Sequence, residues 1–147
     1  KGLTNYMKTL LDAAGIKSYY SVITSDETPQ SFDPDFPKMG GNHVILMIPT
    51  EKDPIWLENT SQQIAFNHLS FNTTDRNVLA VKENGIEIIN TPIYKPEENQ
   101  EIIKTKVILN EDGSINLNSD FYYSKAQYDF NMYIIGLSKE DVKDMTT

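Results

Sequence analysis

The chain has 147 residues, 39% of them hydrophobic and 23% charged, with a net charge of −8 and no cysteine. This balance specifies a folded chain, one domain or a domain plus part of another, and disfavours nucleic-acid phosphate as a partner, since that needs a basic surface. The lack of cysteine removes disulfides, thiolate metal sites and a cysteine nucleophile from these residues, and no apolar run approaches the ~20 residues that a membrane-spanning helix requires.

Leu3, Met7, Leu10, Leu11 and Ala14 recur at helical spacing. They predict a helix over residues 3–14 with that stripe packed on a sheet, and Gly15 stands where a helix C-terminal glycine belongs. Residues 16–24, rich in β-branched and aromatic types, read as a strand. Residues 25–41 hold Pro29, Pro34, Pro37, Gly40 and Gly41 and read as a long loop. Two strands are expected near 43–49 and 54–58, then a polar irregular stretch over 60–76 in which His68 should be exposed. Residues 78–82 and 86–91 flank Asn84-Gly85, a strong hairpin signal. The run from Tyr94 to Asn99 reads as a boundary, with 95–99 as linker. A second hairpin, 101–110 and 114–123, should turn at Asp112-Gly113. Ser124-Lys125-Ala126-Gln127 has a capping-box pattern that should start a helix ending near Gly136. Ser138-Lys139-Glu140-Asp141 marks another short helix start. The order of elements specifies an α+β fold with a mostly antiparallel sheet.

Candidate chemistry gathers in residues 42–60, NHVILMIPTEKDPIWLENT. A loop from Thr50 to Asp53 sets Ile45 opposite Glu58 and His43 opposite Thr60. A two-residue turn at Thr50-Glu51 sets His43 opposite Glu58 directly. In either register His43 and Glu58 share a face with Ile45, Met47 and Trp56, because side chains alternate along a strand. Val44, Leu46, Ile48, Ile55 and Leu57 form the other face. Both faces are apolar, so both should be covered. An imidazole beside a carboxylate is part of a nucleophile-activating apparatus, and it is equally a structural pair at a hairpin end. Spacing leaves both open. His43 and His68, without a clustered acid motif, do not make a metal site. The chain has no GxSxG, HExxH or phosphate-cradling glycine loop. Trp56 and the eight tyrosines read as core or sheet surface, or as a sugar-binding platform.

Several short motifs occur in a telling order. Lys1-Gly2-Leu3 leads into the first helix, Ala13-Ala14-Gly15-Ile16 closes it, and Ser18-Tyr19-Tyr20-Ser21-Val22 follows as a strand. After the long loop come Asn42-His43-Val44 and Trp56-Leu57-Glu58-Asn59-Thr60. In this order residues 1–94 resemble the second half of a bacterial transglutaminase-like domain, of the papain-related Cys-His-Asp superfamily. Residues 100–147 are similar to the start of the β-rich domain that often accompanies it.

The resemblance implies catalytic roles for His43 and Glu58, with Glu58 standing where the family usually has Asp. Its nucleophile would fall immediately before Lys1, so the chain is expected to be an inert piece of a longer protein. It implies acyl transfer or amide hydrolysis on a peptide or protein amide, without a cofactor, in a periplasmic or secreted parent. It also implies apolar surface left bare by the missing half, which self-association or another chain segment would cover. The competing expectation is a non-enzymatic peptide- or glycan-binding or scaffolding module on the same fold.

Overall fold

The computed structural model describes residues 1–28, 32–33, 35, 40–138 and 140–141. It divides into two compact units, Lys1–Ile93 and Tyr94–Thr147. The architecture is α+β, with helices beside antiparallel sheets.

The first unit opens with helix α1, Gly2–Ala13. Gly15, at φ +72°, ends it: its N–H donates to Asp12 O at 3.0 Å, and the Ile16 N–H donates to Leu11 O at 2.8 Å. This double closure satisfies carbonyls that a helix end otherwise leaves bare. The expected apolar stripe packs only in part. Leu3 and Leu10 remain 59% and 45% exposed, whereas Thr4 is buried and Met7, Lys8 and Leu11 are half-buried behind it. The inward line is thus turned by about one residue. The Thr4 hydroxyl donates to the carbonyl of Val44 at 3.2 Å. That bond ties the first turn of α1 to the second residue of strand β2.

Five antiparallel strands follow: β1 (Tyr19–Ile23), β2 (His43–Ile48), β3 (Ile55–Leu57), β4 (Asn77–Lys82) and β5 (Gly85–Asn90), in the order β3-β2-β1-β4-β5. Alternate residues of one face form the core: Ile23, Ile45, Met47, Trp56, Val78 and Ala80. Leu69, from the irregular segment between β3 and β4, closes over them. Its insertion carries His68 inward as well. His68 is only 7% exposed, which corrects the expectation of an exposed histidine.

The β4–β5 turn also differs from the Asn-Gly expectation. Lys82 pairs with Gly85, so Glu83 and Asn84 make the connection and Gly85, at φ +128°, begins the next strand. The proline-bearing stretch between β1 and β2 is described only in part, and Pro29, Pro34 and Pro37 lie outside the described residues. Its ends are fastened. Asn42 and Ser25 exchange two hydrogen bonds, from Ser25 N–H to Asn42 Oδ1 at 2.8 Å and from Asn42 Nδ2 to Ser25 O at 3.0 Å. Gly41 permits this closure: at φ +132°, an added Cβ would lie 2.6 Å from a Val22 methyl.

In the second unit, the expected linker residues Pro96–Glu98 form a 3-10 turn. Strands β6 (Glu101–Leu109) and β7 (Ile115–Tyr123) pair along their full length, turning through Gly113 at φ +83°. Helix α2, Ala126–Asn131, runs into a 3-10 turn over Met132–Gly136. The expected capping box at Ser124 does not form. The Ser124 hydroxyl instead donates to Glu98 O at 2.6 Å and accepts the Gln100 N–H at 3.0 Å. The next residue, Lys125, becomes the N-cap, and the Ala126 N–H is satisfied by Asn99 Oδ1 at 3.0 Å. Further on, Ser138 and Asp141 cap one another reciprocally: Asp141 Oδ2 accepts the Ser138 N–H at 3.1 Å, and Ser138 Oγ accepts the Asp141 N–H at 3.2 Å. Lys139 and residues 142–147 lie outside the described residues.

Candidate functional site

The site is built on the β2–β3 hairpin. Leu46 pairs with Leu57, Met47 with Trp56 and Ile48 with Ile55. Extended, this register sets Ile45 opposite Glu58 and His43 opposite Thr60, as the four-residue loop requires. His43 and Glu58 are therefore diagonal rather than direct neighbours. Diagonal positions on one face are ~7–8 Å apart, within reach of long side chains only. Glutamate spans that gap: His43 Nε2 lies 2.6 Å from Glu58 Oε2. The His43 side chain is 21% exposed and that of Glu58 only 4%. The pair thus sits at the rim of the core, with the acid inside and the imidazole reaching the surface.

The other carboxylate oxygen is also occupied. Glu58 Oε1 accepts the Thr60 backbone N–H at 3.0 Å and the Thr60 hydroxyl at 2.7 Å. Loss of water on burial pushes the Glu58 carboxyl up, but the bonds from His43 and Thr60 and the electrostatic attraction of His43 together outweigh it. The net result holds the carboxyl below its ordinary range, so Glu58 is an anion at neutral pH. His43 Nδ1 makes no hydrogen bond among the described residues. The residue after His43 receives the Thr4 bond, so the start of α1 lies alongside the strand end that carries the imidazole. A shallow depression lined by Lys1, Asn5, Tyr20, Val22 and Val44 opens beside that helix start, on the sheet face opposite His43.

The two residues singled out in the sequence, His43 and Glu58, are thus brought into direct contact. His68 is not part of the pair. Trp56 lies in the core, so a sugar platform would lack its largest ring. Among the described residues no cluster of three or more His, Cys, Asp or Glu could hold a metal ion. None of the described helices is long and apolar enough to cross a membrane.

The structure gives two further residues a part in this unit. Thr60 was legible as a hydroxyl two positions after an acid, a spacing that favours local side-chain-to-backbone bonds. Arg76 carried no signal. It is 2% exposed, and its guanidinium donates to Thr24 O (2.8 Å), Asp26 O (2.5 Å) and Thr74 O (3.2 Å). It pins the chain leaving β1 to the segment entering β4. No family model, no curated protein and no solved structure matches this chain.

Proposed function

We propose that residues 1–94 are the second half of a transglutaminase-like domain, and that an intact parent performs acyl transfer or amide hydrolysis through a Cys–His–Glu triad. One observation carries this reading. His43 Nε2 is bonded to an ionised, buried carboxylate, while Nδ1 has no hydrogen-bond partner among the described residues. A carboxylate on one nitrogen orients the ring and stabilises the imidazolium, leaving the other nitrogen to accept a proton. A thiol at the position before Lys1 would stand at the N-terminus of α1, where the helix dipole favours the thiolate.

In the parent, His43 would take the thiol proton as sulfur attacks the amide carbonyl. The proton would pass to the departing amine, leaving a thioester. Water would then release an acid, or a second amine would form a new amide. The substrate class is a peptide or protein amide. The chain itself, without cysteine, would be inert.

The same reading accounts for bare apolar surface. Leu3, Tyr6 and Leu10 form an exposed line on α1, and Val81 and Ile86 are exposed on the sheet. The missing half, a second copy or another segment would cover them.

The test is thiol alkylation of the intact parent at neutral pH. A Cys before Lys1 should react with iodoacetamide, and His43→Ala should abolish that reaction. A residue other than Cys, or labelling unchanged by His43→Ala, would overturn the proposal in favour of a binding module.

A further inference from the structure

We infer that Thr60 is the positioning residue of this site: by engaging Oε1 of Glu58 through both its amide and its hydroxyl, it dedicates Oε2 to His43. This inference rests on the catalytic reading of the pair, and it names the group that sets the acid's orientation.

The geometry assigns the role. An ionised carboxylate has two oxygens and only acceptor capacity. Here they are divided without overlap, Oε2 to the imidazole at 2.6 Å and Oε1 to Thr60 at 3.0 and 2.7 Å. Among the described residues, the polar groups bonded to this carboxyl are the His43 ring and the amide and hydroxyl of Thr60. The two Thr60 donors come from one residue, two positions along the chain, so they fix the carboxylate plane against its own backbone. That matters because Glu58 reaches His43 diagonally. A long side chain with a free end would sample orientations that miss the ring, and each costs the imidazole its partner. The β-branched Thr60 side chain adds stiffness, since its χ1 is restricted. Thr60 is exposed and contributes no core packing, so its hydroxyl can be removed without making a cavity.

The closing experiment uses this chain, and needs no nucleophile. The titration of the Glu58 carboxyl is followed by carbon NMR in wild type, Thr60→Val and Thr60→Ser. Thr60→Val keeps shape and backbone amide but removes the hydroxyl, and should move the Glu58 midpoint upward. Thr60→Ser restores a donor and should bring the midpoint back toward wild type. In a reactive parent, Thr60→Val should lower kcat about tenfold, the worth of one hydrogen bond to a charged group, with KM unchanged and Thr60→Ser restoring the rate. An unmoved midpoint in Thr60→Val, or no rescue by Thr60→Ser, would overturn the positioning role. A shifted midpoint in this chain beside a parent without a reactive thiol would instead keep the role of Thr60 and reject the catalytic reading.

Discussion

His43 and Glu58 meet across a diagonal of the β2–β3 hairpin, a gap that the glutamate side chain spans. The register places Ile45, not His43, directly across from Glu58. The Nε2–Oε2 bond of 2.6 Å closes the offset.

That geometry makes Glu58→Asp a sharper probe than its chemistry suggests. The charge is kept but the carboxylate is drawn back by one methylene, away from the imidazole. In an active parent, Glu58→Asp should lower kcat/KM, and Glu58→Gln should lower it further, by on the order of 10²-fold, as expected when a general base loses its orienting anion. Steady-state kinetics check this; full activity in Glu58→Asp would show that the diagonal contact is not needed.

The ionised Glu58 links stability to acid. Its carboxyl lies below the ordinary value of 4.5 in the folded chain. Its contribution is therefore complete above the unfolded value and is lost as pH falls through the folded one. Urea midpoints should be flat from neutral pH down to about 4.5, the unfolded value, and then fall, as far as this group is concerned. Glu58→Gln should be less stable at neutral pH and should lose part of that acid slope. An identical slope in the variant would place the effect in other carboxylates.

Arg76 should matter more than its place in a loop suggests. Removing its guanidinium leaves three carbonyls, of Thr24, Asp26 and Thr74, without their donor. Arg76→Ala should destabilise the first unit by about 3 kcal/mol, the scale of losing several part-buried bonds from one charged donor. Arg76→Lys should rescue little, because an ammonium cannot reproduce the planar fork. Equilibrium unfolding in urea measures both. A loss below about 1 kcal/mol, the worth of an ordinary neutral bond, would mean that water replaces the arginine there.

The second unit should associate through one face of its hairpin. Ile103, Val107, Leu109, Ile115, Leu117 and Phe121 pair across the two strands on the same face, and all are exposed. The opposite face alternates Lys104, Lys106, Asn116, Asn118 and Asp120 among fewer apolar groups. A two-stranded hairpin in water is marginal by itself. Sedimentation should therefore show concentration-dependent association. Replacing the directly paired Val107 and Leu117 by Asp and Lys should abolish it. A monomer at every concentration would refute this.

The local elements were legible because they rest on local physics. Gly15 ends α1, Gly113 turns the second hairpin, and alternation along 43–49 separates the two sheet faces, each set by neighbours a few residues away. Of the two registers that the sequence allows, the structure takes the one with the Thr50–Asp53 loop, which makes His43 and Glu58 diagonal. Tertiary structure decided what depends on distant partners. Thr4 faces inward on α1, where its hydroxyl meets the Val44 carbonyl 40 positions along the chain. Ser124 leaves its expected cap for Glu98 and Gln100. His68 is buried because Leu69 fills the core beside it, and Arg76 is buried because Thr24 and Asp26 present carbonyls about 50 positions away. Periodicity records which side chains avoid water; it carries no record of the distant backbone groups to which Thr4, Ser124 and Arg76 bond.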